Sequence, residues 1–148
     1  MRLRVVVCGL VLMVCGCGKK KMADGDLYNV QAAVGEGLPY PVMEWKALTS
    51  VVDRGAGTTG TLFGNDAAVS AARAGVAYPS GAVLGLVTWR QREDPHWFGA
   101  RIPGEVVSVE FVEVGTAVVD RKFVGTPWRE VAGTGAGEIV GMKAAVAP

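Results

Sequence analysis

The sequence predicts an α+β fold, a mainly antiparallel β-sheet with a few short packed helices. Three observations predict it. Ala82 to Arg90 and Val106 to Val114 have strand composition; Asn65 to Gly75 carries the start and stop signals of a short helix; and glycines and prolines punctuate the chain between these pieces.

In chain order, the first piece is an export signal. Met1 to Arg4 is cationic, and Val5 to Val14 is an apolar run broken only by Gly9, too short to span a bilayer as a stable helix. It ends in Val14-Cys15-Gly16-Cys17, which resembles a lipobox: an aliphatic residue at minus three, then small residues, then the cysteine to be acylated. Residues 1–16 are read as a lipoprotein signal peptide and Cys17 as the lipidation site, with palmitate among its acyl groups. Cleavage before Cys15 would instead leave Val14 at the scissile position. Each buried methylene contributes about 0.8 kcal/mol, so several chains together hold a protein at a membrane where one is marginal. Gly18 differs from the aspartate that retains such lipoproteins at the inner membrane. A periplasm-facing protein, anchored in the outer membrane rather than the inner, is expected.

Processing changes the charge and the cysteine count. Of 15 Lys and Arg, Arg2 and Arg4 leave, so 13 stand against 14 Asp and Glu and the mature formal charge is about minus one. Nucleic acid is not an expected partner. Cys8 and Cys15 also leave and Cys17 is acylated, so no thiol is expected to remain for a disulfide, a zinc site or a covalent haem. The remaining 132 residues suffice for one domain that removes roughly two thirds of its unfolded surface from water.

Residues 17–38 read as a lipidated tether and N-terminal segment. Lys19, Lys20 and Lys21 are a solvated spacer or a contact with anionic head groups, the latter worth about 1 kcal/mol each. Leu27 to Val34 is predicted as a marginal helix, and Leu38-Pro39-Tyr40-Pro41 as extended chain, because each proline restricts its predecessor. Trp45 to Asp53 and Thr59 to Gly64 then read as two strands, joined into a hairpin by the turn Arg54-Gly55-Ala56-Gly57. Asn65-Asp66 supplies cap chemistry for a helix over residues 67–73, and Gly75 stands where a C-cap glycine belongs. Positions 65, 68, 69 and 72 form its buried stripe. After the turn Pro79-Ser80-Gly81, the run Ala82 to Arg90 is apolar on both faces and reads as a central strand covered on both sides. Pro103-Gly104 leads into Val106 to Val114, in which Val107, Val109 and Phe111 alternate with Ser108 and Glu110. Ala117 to Ala132 is ambiguous, and Ala136 to Met142 is a short closing helix.

Candidate chemistry is sparse. His96 is the one histidine, in the charged loop Arg90 to Phe98 between two strands. It forms a pocket lip with Trp97 and Phe98 stacking on a ligand, or it faces water in a surface loop; the second reading is preferred, because a lone histidine has no identifiable partner set. No Gly-x-Ser-x-Gly elbow exists, and hydrolase chemistry carries little weight. Glu93 and Asp94 are offset by Arg90 and Arg92 and read as a solvated salt-bridge loop rather than a cation site. Glu110 points away from the Val109 and Phe111 face, into solvent or into a cavity where burial would raise its pKa; exposure is the preferred reading. Gly55, Gly57, Gly60 and Gly64 make no phosphate-binding loop, since they precede and interrupt strands. Trp45, Trp89, Trp97 and Trp128 read as core or lid residues.

Taken together, several blocks resemble the cytochrome P-460 family. They are Trp45; Asp53-Arg54-Gly55; Gly64 to Val69 with Ala71 to Gly75; Tyr78 to Leu84 with Trp89; Pro103-Gly104; and Val109-Glu110-Phe111. The resemblance runs from about residue 40 to 114 and implies a cytochrome P-460-like domain over residues 39–148. It also implies a periplasmic haem protein acting on hydroxylamine or nitric oxide, with haem on a Cys-x-x-Cys-His motif near the C-terminus and a lysine cross-link to the porphyrin. Here the pattern departs: no cysteine follows Cys17, no histidine lies in Val131 to Pro148, and Leu86 stands where the lysine is expected. The preferred reading is a haemless homologue, a lipid-anchored small-ligand-binding or structural module with a cavity around Trp89 and Phe111. The alternative is a redox enzyme with non-covalent haem on His96; no other metal is expected. Whether the protein is an enzyme stays open, and the resemblance is compatible with a homodimer.

Overall fold

Six strands follow one another through the sheet in the order in which they occur along the chain, each antiparallel to the next. They are β1 (Lys46–Asp53), β2 (Thr58–Gly64), β3 (Val83–Glu93), β4 (Arg101–Val114), β5 (Val118–Val124) and β6 (Arg129–Val131). Two short helices, α1 (Asp66–Ala74) and α2 (Ala136–Val140), complete the α+β architecture. This computed structural model describes residues 28–133 and 135–145. The expected signal peptide, Cys17 and residues 18–27 of the expected tether segment lie outside the described residues.

Local chemistry accounts for the elements. At the turn after β1 the Asp53 carboxylate accepts the Ala56 N–H at 2.9 Å, and Gly57 supplies the positive φ. Asn65 caps α1 by accepting the Ala68 N–H at 3.0 Å, and Gly75 closes it in the left-handed conformation. The buried side of α1 is Ala68, Val69 and Ala71, so the expected stripe is rotated slightly and Asn65 serves as cap instead. The ambiguous tail resolves into β5 and β6, and the closing helix forms as α2.

The sheet has a core on each face. Residues of α1 and α2, notably Ala68, Val69 and Ile139, pack with Leu48, Leu62, Leu84 and Val112 on one face. On the other, Val42 meets Phe63, Val83, Val87, Trp89, Val109, Phe111 and Phe123, with Leu38, Tyr40, Trp45 and Trp128 around them. That second face is covered by the N-terminal segment, and β3 is therefore enclosed from both sides as expected.

Three departures from the sequence reading have local causes. The helix expected over Leu27 to Val34 shortens to a 3-10 turn at Val30–Ala32, with Leu27 outside the described residues. Trp89 Nε1 donates to Ala32 O at 2.8 Å and takes a carbonyl a longer helix would use. Secondly, Arg90 to Phe98 is not wholly loop: β3 continues to Glu93, leaving 94–100 as the connection. Thirdly, Pro103-Gly104 lies inside β4 rather than ahead of it, because β4 carries extra residues relative to β3. Thr88, Trp89 and Gln91 face Ser108, Val106 and Pro103, so the ladder is broken where proline has no N–H to give. Gly104 also lies against Arg90 O, at 3.0 Å from where a Cβ would stand.

Candidate functional site

Glu110 sits in mid-β4 with Leu86 opposite it on β3 and Lys122 opposite it on β5. It belongs to the same sheet face as Val112, beneath the helices, and is only 2% exposed. The preference for exposure is thus corrected. The cause is the partner strand: Lys122 Nζ reaches Glu110 Oε2 at 3.2 Å, a contact that satisfies charge where water is excluded.

Asp120, one pleat along β5 from Lys122, brings a second carboxyl to this pair. Its Oδ2 accepts the Gly135 N–H at 3.0 Å, and Gly133 packs so closely that any side chain there would strike the carboxylate. Burial lifts the Asp120 carboxyl above its ordinary range; the neighbouring Glu110 adds to this through charge and a hydrogen bond, while the Gly135 N–H and Lys122 oppose it. Asp120 Oδ1 is buried and accepts no bond from an N–H donor. The arrangement ties β4, β5 and the entry to α2 together.

A second polar group lies on the opposite face. Burial, then a hydrogen bond to Glu113, raises the Tyr40 phenol above its usual value. Arg121 makes a two-pronged contact with Glu130, both bonds 3.0 Å, and stacks its guanidinium 5.3 Å from the centre of the Phe123 ring. Sequence reasoning missed Asp120, Lys122, Tyr40 and Arg121. Only the period-two spacing of Asp120 and Lys122 in β5 could have signalled that they share a face.

The other candidates are dispersed. Trp89 and Phe111 are 5% and 0% exposed, in the core beneath the N-terminal segment. The space assigned to a cavity around them is filled: Tyr40, Trp45 and Phe123 ring centres lie 5.3, 6.3 and 6.0 Å from that of Phe111. His96, Trp97 and Phe98 are together at the β3–β4 connection, away from both cores. The His96 side chain is 62% exposed and stands 3.5 Å from Asp94, while Trp97 and Phe98 are among the most exposed large apolar residues described. Glu110 is not brought to any of them. An open cleft of about 420 Å³ is lined by Val34 to Glu44, and a groove of about 670 Å³ lies between the β1–β2 turn and the β3–β4 extension; none of the expected site residues lines either. Among the described residues no three of His, Cys, Asp and Glu converge as a metal site.

The family model for cytochrome P-460 matches residues 40–127, more than half of the chain. The chain belongs to the cytochrome P-460 family. No curated protein sequence matches it. The match begins at Tyr40, in the segment that covers Phe111, and ends in the turn between β5 and β6. As a cytochrome P-460 fold, the chain can be tested for the group its family carries. No cysteine follows Cys17 to form thioethers, and Leu86 offers no amine. His96 is held at the connection by its own N–H on Asp94 Oδ1, 2.8 Å, and by its ring beside the same carboxylate. The helical face near the C-terminus is sealed by Ile139. These residues do not fit a covalently held haem.

Proposed function

We propose that this cytochrome P-460 protein is a lipid-anchored module of the cell envelope that works without covalent haem. The observation that carries the reading is the distribution of sulfur and imidazole. In this sequence the last cysteine is Cys17, in a lipobox-like setting, and the single histidine is at a solvent-facing connection remote from either core. The closed packing around Phe111 favours structural service over an internal ligand cavity, so any small molecule is met at the surface clefts. By the same reading the protein faces the periplasm from the outer membrane.

Two measurements test it. Protein purified from its native membrane should give no stoichiometric haem in a pyridine haemochrome assay; a stoichiometric signal abolished by His96→Ala would overturn this reading in favour of non-covalent haem on His96. Cells grown with labelled palmitate should label the wild type and not Cys17→Ser. An unlabelled wild-type chain removes the anchor.

A further inference from the structure

The β3–β4 hairpin carries two bare aromatic side chains at its end. Trp97 is 72% exposed and Phe98 fully so. Removing such side chains from water is favourable, and two adjacent ones left bare form an apolar patch of the kind that marks a contact surface. They are also presented by an ordered connection. Asp94 N–H donates to Ala100 O at 3.0 Å, Ala100 N–H to Trp97 O at 3.1 Å, and Gly99 turns the chain with φ +77°. β2 pairs with β3 as far as Arg90, and the Gln91 N–H still donates to Gly57 O in the turn at 2.8 Å, so the hairpin runs past that bond by two residues, roughly 7 Å, before the connection begins.

The start of the described chain is fastened beside this projection. Asn29 Nδ2 donates to Pro103 O at 2.6 Å, and Arg92 Nη2 donates to Asn29 Oδ1 at 3.0 Å. Residues 92 and 103 are on the two strands of the hairpin, one and two pairs from its last pair, Glu93 with Arg101. Eleven peptide steps separate Cys17 from Tyr28, and they can span no more than about 40 Å. Arg54 and Arg101 line the groove at the base of the projection, with Glu93 exposed beside them. The start of the described chain at Asn29, the aromatics and these guanidiniums therefore share one end of the sheet.

We propose that Trp97 and Phe98 form a second membrane contact, seated in the head-group layer of the bilayer that holds the acyl chains. Indoles favour that layer, where an apolar body and a polar N–H are both accommodated, and arginines meet the lipid phosphates above it. The proposal rests on the anchored reading for its orientation. Once the chain is tethered, the high effective concentration lets a weak insertion be populated.

The test uses the full lipidated chain in vesicles of phosphatidylethanolamine and phosphatidylglycerol with brominated acyl chains. Subtracting the emission of Trp97→Phe from that of the wild type isolates Trp97 from the other three tryptophans. That difference should fall at least about two-fold on shallow bromination and become shielded from aqueous iodide, as for an indole at head-group depth. Flotation and palmitate labelling report the anchor separately. An acylated, vesicle-bound chain whose Trp97 stays open to iodide overturns the membrane contact and leaves the anchor standing; so does shielding of Trp97 only when a protein partner is added. An unacylated Cys17 overturns the anchor, and bromine quenching in the same vesicles still scores the tip.

Discussion

Asn65 and Val83 are joined by an oxygen that serves two elements at once. Asn65 Oδ1 accepts the Val83 N–H of β3 at 3.2 Å as well as the Ala68 N–H of α1, while its amide donates to Gly81 O at 2.9 Å. The helix cap is also the clamp that holds α1 to the central strand. Asn65→Ala should cost about 2 kcal/mol, more than an ordinary cap, because it also orphans a strand N–H. Asn65→Asp keeps both accepted bonds and should lose less. Urea midpoints at constant m-value check this order; equal losses for the two variants would refute it.

The Glu110, Lys122 and Asp120 group predicts a defined pH response. A carboxyl whose folded-state pKa is raised makes a contribution fully present below its ordinary value of 3.8 and lost as pH rises through the raised value. Asp120→Asn removes that loss while keeping an oxygen for the Gly135 N–H. Its stability relative to wild type should therefore improve from about pH 4 towards neutrality. Parallel stability profiles for the two proteins would sink the prediction.

Removing the cation from the same group should be worse than removing the pair. Lys122→Met leaves Glu110 buried without its countercharge and should cost about 3 kcal/mol at neutral pH. Adding Glu110→Gln should restore part of it. A double variant as unstable as the sum of the single ones would mean that Glu110 and Lys122 are not energetically coupled.

At Gly85 of β3, Val42 of the N-terminal segment packs directly over the strand backbone. A Cβ there would stand 2.6 Å from Val42 Cγ2 and 3.2 Å from the Phe111 ring. Gly85→Ala should destabilise by about 1–3 kcal/mol through overpacking. Val42→Ala in the same chain should offset some of that, because it removes the methyl that clashes. A thermal-denaturation cycle decides it, and simple additivity would deny the contact.

Elements whose instructions are local were legible in the sequence. Asn65 and Gly75 cap α1 with their own chemistry, and the two apolar faces of Val83 to Trp89 foretold a strand enclosed from both sides. What escaped depended on distant strands. Glu110 looked exposed because polar residues alternating with apolar ones ordinarily face water; its burial is permitted by Lys122 and Asp120, which come from a strand whose own pattern they obscure. Pro103 and Gly104 read as the lead-in to a strand beginning at Val106, yet they lie inside β4, whose extra residues absorb them. For the site, the sequence found His96, Trp97 and Phe98 as neighbours. It could not place Asn29 against the base of their hairpin, because that contact joins residues 74 positions apart.

Ile139 tests whether the closing helix is part of the core or laid upon it. Five residues are far too few for an independent helix, so α2 exists because Ile139, 2% exposed, is buried against the sheet. The chain beyond it then reaches β1, where Ala145 N–H donates to Leu48 O at 2.7 Å. Leu48 is the residue that β1 has in excess of β2, since Ala47 and Thr49 face Phe63 and Leu62. The bulge leaves its carbonyl outside the β1–β2 ladder, and the C-terminal segment takes it up. Ile139→Ala should therefore cost about 3 kcal/mol and, by loosening α2, expose the Met142 and Ala145 amides to exchange about a hundredfold faster. Native-state hydrogen exchange distinguishes the two possibilities. If those amides keep their protection while global stability falls, Ile139 only fills space; if both are unchanged, α2 does not seal this face at all.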